Sequence, residues 1–339
     1  MPMKFGIFDH MDAGPMKLGD FYESRLKLTE EYDRAGFYGY HVAEHHATPL
    51  GHAPSPSVFL SAVAQRTKRL RFGPLVYTLP LYHPQRLIDE VCMLDQMSGG
   101  RFMLGVGRGI SPIELTLYGL DPQTSPAMYR EFLEILLLGL RSKVLTYAGK
   151  HYAYENVPIE LEPVQKPHPP LWYGLGTPEG VAFALSHRMN VVSNLDAGPV
   201  RAITDRYRSE WDKAGNTAES LPLMGTTRHI VIAETEREAM EIAERGYARW
   251  RESFLLLWIK HGSLRPSAAA MPRASFAEAE KDGRAVAGTI DKVATTLRKT
   301  IGDAGLNYLL CRFAFGDVTH DEALQSTQLF ARDVMPQLV

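Results

Sequence analysis

The feature that most constrains this chain is one alternation repeated eight times: a short apolar run of strand length, then a longer amphipathic segment of helix length. The runs are KFGIFDH (4–10), YGYHVAEH (38–45), LRFGPLVYTL (70–79), RFMLGVG (101–107), PLWYGLG (170–176), NVVSN (190–194), GTTRHIVIA (225–233) and NYLLCRF (307–313). Helical patterns follow at 20–35, 56–67, 84–97, 125–142, from 178, and at 199–214, 235–258 and 320–334; Asp20 reads as the first N-cap and Gly36 as its stop. Alternating β and α segments predict a parallel sheet with right-handed crossovers, and eight units allow closure into a (β/α)8 TIM barrel, an α/β fold. An open doubly wound sheet shares the alternation. A chain of 339 residues fits one such barrel, so residues 1–339 are read as a single domain.

Two stretches break the rhythm. Residues 143–169 read as a β-hairpin turning at Gly149 and ending in a Pro-rich connection. Residues 261–288 are rich in Ala, Ser, Gly and Pro and read as a long irregular insertion, either a passive surface loop or a mobile lid over the site.

Charge and hydropathy narrow the partners. The net charge is −2 with no basic stripe, which argues against nucleic acid and anionic membranes. No run of about 20 apolar residues exists to span a bilayer, and the start MPMKFGIFDH is strand-like and lacks a signal-peptide pattern, so a cytoplasmic protein is expected. Cys92 and Cys311 sit in the apolar runs VCML and LLCRF, as buried reduced thiols do.

In a barrel of this kind the site is built where strands end and the following loops begin. That rule selects Asp9 and His10, the triplet Glu44-His45-His46, Tyr77 and Thr78, Arg108, the loop 174–177, and Asn194. Side chains alternate along a strand, so Glu44 and His46 share one direction and His45 takes the other. His45 then qualifies as a general acid or base, because imidazole titrates near neutral pH. A metal site is not expected, since adjacent histidines point apart and there is no inward His-x-His pair.

Gly105-Val106-Gly107-Arg108-Gly109 lacks the third glycine of a dinucleotide fingerprint; it reads better as close backbone approach at the barrel mouth with Arg108 offering its planar fork to phosphate. Tyr173-Gly174-Leu175-Gly176-Thr177-Pro178-Glu179-Gly180 runs a strand into glycines, a cap residue and a proline in the first helical turn, a place where free amides meet an anion. Each motif has a plain structural reading too: an ion pair for Arg108, a tight turn for 174–177. Leu75 and Val76, at mouth depth on strand 3, read either as support for a flat ring or as ordinary core.

Taken in order, KFGIF, AGFYGYHVAEHH, LRFGPLVYTLPLYHP, LDQMSGGRFMLGVGRG and the closing LFARDVMPQL resemble the bacterial luciferase-like flavin monooxygenases over essentially the whole chain. The resemblance implies a catalytic role for His45, FMN-phosphate contacts from Arg108, Leu175, Gly176 and Glu179, a non-proline cis peptide at Leu75-Val76 beneath the flavin, Trp250 near the isoalloxazine, and a mobile loop at 261–288. Gly107 and Asn194 stand where the light-emitting subunit has cysteine and tryptophan, which argues against light emission. The function implied is a two-component monooxygenase that receives reduced FMN from a separate flavin reductase and uses molecular oxygen on an apolar organic substrate, a carbonyl compound among the candidates, at a mouth containing Phe8, Tyr77 and Trp250. A homodimer is expected. An F420-dependent oxidoreductase on the same barrel, or a non-catalytic flavin binder, are the alternatives.

Overall fold

The computed structural model describes residues 2–12, 14–261 and 271–338. Twelve strands are present among them: β1 (Lys4–Asp9), β2 (Gly39–Val42), β3 (Arg71–Pro74), β4 (Tyr77–Thr78), β5 (Leu104–Gly107), β6 (Val144–Ala148), β7 (Ala153–Pro158), β8 (Leu171–Gly174), β9 (Asn190–Val192), β10 (Met224–Ile232), β11 (Ala285–Gly288) and β12 (Tyr308–Arg312). The parallel order is β3-β2-β1-β12-β10-β9-β8-β5-β4. Phe72 bridges Phe102, and the Met103 amide donates to the Phe72 carbonyl at 2.7 Å, so β3 also meets the lead-in to β5 and the sheet closes on itself. β3 and β4 flank the Leu75–Val76 peptide bond, which is cis as the resemblance implied, and together form one interrupted strand. Counted so, nine parallel strands make the eight staves of a TIM-type barrel.

The helices are α1 (Leu18–Arg34), α2 (Pro56–Arg66), α3 (Pro84–Ser98), α4 (Pro112–Leu117), α5 (Ser125–Gly139), α6 (Val181–Ser186), α7 (Ala197–Lys213), α8 (Glu236–Lys260), α9 (Phe276–Lys281), α10 (Ile290–Ala304) and α11 (His320–Leu329). They cover the strands from outside, and because both faces of each strand are then buried, β10 is buried at all nine positions. The hairpin expected at 143–169 is present as antiparallel β6 and β7. Cys92 and Cys311 are buried and unpaired.

Three expectations are corrected. Helix α1 starts at Leu18, so Asp20 lies in its first turn rather than at the cap; the carboxylate still faces the positive helix end. The segment 261–288 is not irregular throughout. A mobile loop was expected over the whole of 261–288; residues 262–270 of it lie outside the described residues, but 276–281 form α9 and 285–288 form β11, which pairs with the far end of β10. The region after it, left unassigned by the sequence pattern, is α10, burying Val293, Ala294, Leu297, Thr300 and Ala304.

Inside the barrel a separate cluster contains Phe8, Ala43, Met103, Trp172, Val192, Leu223, Tyr308 and Leu310, with Leu75 packed against it. Tyr308 reaches across the axis to His41 Nε2 at 2.9 Å, and glycines make room for it: a Cβ on Gly6 would lie 1.8 Å from the Tyr308 hydroxyl oxygen. Backbones also approach closely where the barrel closes: a Cβ on Gly73 would sit 1.9 Å from the Met103 carbonyl oxygen. Backbone cannot yield there as a side chain can. Gly73→Ala is therefore expected to cost at least about 2 kcal/mol, read as a lower urea midpoint at unchanged slope.

Candidate active site

The interior cluster fixes which residues face the barrel mouth, because every second residue along a strand shares its direction. Continuing two residues beyond Phe8, Ala43, Val192 and Leu310 gives His10, His45, Asn194 and Arg312; continuing from Leu223, the residue before β10, in steps of two gives Gly225, Thr227 and His229. Gly107 and Gly174 are the corresponding positions of β5 and β8. A side chain at Gly107 would collide with Val76 Cγ2 at 2.4 Å, so β3 and β5 leave no space for one.

His45 is held by a carboxylate the sequence did not reveal. Its Nδ1 lies 3.2 Å from Glu114 Oε1. Glu114 sits on the short helix α4, whose start is capped by Ser111, and its Oε1 also accepts the His46 amide at 2.9 Å. Burial pushes the Glu114 carboxyl up, but the His45 charge and hydrogen bond and the His46 amide outweigh it, leaving the group below the ordinary carboxylate range. An ionised carboxylate only accepts, so His45 donates from Nδ1, and its neutral form carries the lone pair on Nε2.

His10 is placed against it, the rings stacked with centroids 5.7 Å apart. The Trp250 Nε1–H donates to His10 Nδ1 at 3.2 Å, which leaves the His10 proton on Nε2. Burial above all, then Arg312, His45 and His229, hold His10 well below the normal imidazole range, so it is neutral at pH 7. The mouth thus carries a proton acceptor, His45 Nε2, beside a neutral N–H donor, His10 Nε2. His46 does something different: it donates from Nε2 to Glu44 at 3.0 Å and accepts the Tyr118 hydroxyl at Nδ1, while Glu44 also takes Tyr82 at 2.6 Å. It and Glu44 share a side, as the alternation predicted, and both are buried in structural bonds.

The second group of sequence candidates lies at the neighbouring ends of β5 and β8, which pair at Leu104–Leu171 and Gly105–Trp172. Arg108 is exposed and makes no ion pair or hydrogen bond among the described residues. Its charge and that of Arg130, on α5 and likewise without an ion pair, act on the Tyr173 phenol, which burial raises and these two guanidinium groups pull back. Leu175 is buried and its amide donates to the Val192 carbonyl at 2.9 Å. Among the described residues the amides of Gly176 and Thr177 have no backbone acceptor, and a Cβ at Gly174 or Gly176 would meet nothing within 4 Å. The helix expected from Pro178 is one 3-10 turn followed by the six residues of α6. Glu179 is exposed; hydrogen bonds from its own amide and the Thr177 hydroxyl hold its carboxyl below the usual range.

One expected mouth residue belongs elsewhere. Tyr77 faces outward, its hydroxyl 2.7 Å from Ser57 Oγ on α2. Trp250, on α8, does reach the mouth and packs 4.5 Å from the His229 ring. Sequence reasoning passed over Glu114, Arg130, His229 and Arg312. The period-2 extension of strands β10 and β12 could have found His229 and Arg312; no local signal links Glu114 to a histidine 69 positions earlier in the chain.

A closed parallel barrel whose strand ends carry a carboxylate-oriented histidine, a donor-rich rim and an aromatic wall is the architecture of a TIM-barrel enzyme acting on small molecules. The chain belongs to the luciferase-like monooxygenase family, whose model matches residues 3–306. It is 41% identical over 336 residues to the uncharacterised protein y4wF of Sinorhizobium fredii, covering 99% of this chain and 97% of that one. It is 27% identical over 248 residues to the oxygenase component of the flavin-dependent trigonelline monooxygenase of Acinetobacter baylyi, covering 71% and 68%. The oxygenating constituent of 3,6-diketocamphane monooxygenase from the CAM plasmid of Pseudomonas putida, solved with FMN, matches with a TM-score of 0.82 at 20% identity over 100% of this chain and 99% of that one. Among the described residues no helix is long and apolar enough to cross a membrane.

Proposed function

We propose that this chain is the oxygenase component of a two-component, FMN-dependent monooxygenase, taking reduced FMN from a separate flavin reductase and oxygenating a small organic substrate with molecular oxygen. The observation that carries the reading is the convergence, at one barrel mouth, of the His45–Glu114 pair with an unpaired donor set formed by Arg108, Arg130 and the free amides of Gly176 and Thr177. Such a set matches a phosphate monoester: two guanidinium forks for the charge and amides that fix its position. Leu75–Val76 and the bare Gly107 would lie under the ring, Gly174, Leu175 and Glu179 would shape the phosphate end through their backbone, and Trp250 would bound the far side.

Reduced FMN, when bound, supplies the electrons that activate oxygen. The protein's own residues do the rest. His45 Nε2, oriented by Glu114, accepts or returns a proton at the reacting centre, and His10 Nε2–H holds a developing oxyanion. The apolar surroundings of Phe8 and Trp250 exclude water from that centre. A homodimer in the cytoplasm completes this reading.

Titration of the protein with FMN and, separately, with F420 tests it, followed by product analysis with a generic reductase, NADH and a panel of apolar ketones, aldehydes and alkenes. FMN binding and an oxygen-labelled product under 18O2 are expected. Preference for F420, or oxygen uptake no faster than that of free reduced flavin with no product, would overturn the assignment in favour of a dehydrogenase or a simple flavin carrier.

A further inference from the structure

Among the described residues, Arg312 is a buried charge that no acceptor explains. It ends β12 on the inward face and is only 6% exposed. Its Nε is sealed from solvent without a partner, and neither terminal nitrogen hydrogen-bonds to a described residue. The guanidinium lies 4.7 Å from the Phe8 ring centroid and 5.7 Å from that of Trp250. Rings of this kind stabilise a cation in part, but they do not satisfy five N–H donors. A buried arginine without an acceptor is costly, and native structures rarely leave one in that state unless a ligand or function accounts for it.

The groups around it deepen the deficit of negative charge. His10 and His229 are both held well below the imidazole range, by burial first and then by Arg312 itself, so they are neutral. His229 Nε2 is a second buried nitrogen with no partner. Arg228, the next cation, is also buried; its terminal nitrogens reach the Thr226 hydroxyl and the Thr227 and Leu195 carbonyls, while its Nε, like that of Arg312, has no partner among the described residues. The one carboxylate that acts on Arg312 electrostatically is Asp12, which forms no ion pair with it and accepts the Gly316 amide instead. Burial lowers Arg312, to about 9, which still leaves it charged at pH 7.

We infer that the substrate of this site carries a carboxylate, which Arg312 binds with help from His229, on the side of the mouth away from Arg108. The inference rests on the oxygenase reading for the word substrate, while the carboxylate subsite itself stands on the residues above. Arg312, Trp250, His10 and His45 form a continuous series of ring and cation contacts, so a carboxylate seated on Arg312 projects the rest of a small molecule along the Trp250 and Phe8 rings toward the imidazole pair. The aromatic wall takes an apolar body, and the guanidinium selects its acidic end. Arg108 and Arg312 would then divide two anionic groups between them, the cofactor's phosphate and the substrate's carboxylate. That division keeps like charges apart and fixes which way round the substrate lies.

The test uses flavin-free and FMN-loaded full-length protein with three matched pairs: benzoate and benzamide, 4-oxocyclohexanecarboxylate and its primary amide, octanoate and octanamide. Calorimetry is expected to show at least one carboxylate binding about tenfold or more tighter than its amide, since a charge-assisted bond to a buried guanidinium is lost in the neutral isostere. Arg312→Gln is expected to abolish that preference while its FMN affinity stays that of the parent; Arg312→Lys is expected to restore part of it, which also guards against misfolding of the first variant. Amides binding as tightly as carboxylates in every pair, or a preference surviving in Arg312→Gln, would overturn the inference. Failure of FMN to bind the parent protein would strike the oxygenase reading alone, because the carboxylate comparison is read without flavin as well.

Discussion

Replacement of His45 by alanine is expected to lower the rate of product formation by about 10²- to 10⁴-fold, the range typical of a positioned acid–base group, while FMN affinity remains within about twofold. The separation follows from where the residue sits. His45 ends strand β2 beside His10 and Glu114, with no part in the donor set formed by Arg108, Gly176 and Thr177. Coupled oxygen consumption and product yield at saturating reduced FMN measure the first quantity, and fluorescence titration the second. Equal losses in both would remove His45 from the chemistry. Glu114 acts through His45 and is a positioning residue, so Glu114→Gln carries a different signature. Without the carboxylate nothing holds the His45 ring by its Nδ1, so kcat is expected to fall while KM and FMN affinity hold, and Glu114→Asp is expected to restore part of the rate. A merely structural role would lower stability and leave kcat in place.

Arg108→Ala is expected to raise the FMN dissociation constant by about 10- to 100-fold, the equivalent of roughly 1.5–3 kcal/mol for a hydrogen bond to a charged group. With saturating flavin, turnover should return close to the parent value, because the phosphate takes no part in the reaction. Arg108 makes no ion pair among the described residues that its loss would disturb, so an unchanged constant would remove the contact from the proposal. Arg130→Ala should weaken FMN in the same direction, and the double variant tests whether the two guanidinium groups act on one phosphate: a cycle that is not additive is the sign of a shared partner.

The barrel itself was legible because its cause is local. A strand buried on both faces must be an apolar run, a helix laid on it must be amphipathic, and eight alternations leave few ways to bury the surface. The same periodicity placed His45 at the mouth and set Glu44 and His46 on a common side, as their 3.0 Å hydrogen bond bears out. It failed where sequence pattern and burial diverge. The Ala-rich stretch after residue 271 looked irregular, yet it supplies helix α9 and strand β11, since Phe276 and Ala285–Gly288 find an apolar surface only after β10 has extended beyond the barrel. Tyr77 was expected at the mouth, yet its ring lies on the helix side, where its hydroxyl meets Ser57 on α2, a contact between residues 20 positions apart.

By itself, then, the sequence determined the architecture, the rim on which chemistry is built, and the histidine at the end of the second strand, because periodicity and chain direction are properties of neighbouring residues. Only the tertiary structure decided which carboxylate orients that histidine, which nitrogen of His10 keeps its proton, and that Arg312 is buried with no ion pair among the described residues. Those facts depend on contacts between residues as distant as His10 and Trp250, or Arg312 and Phe8, and no spacing along the chain encodes a distance that exists only after the barrel has closed.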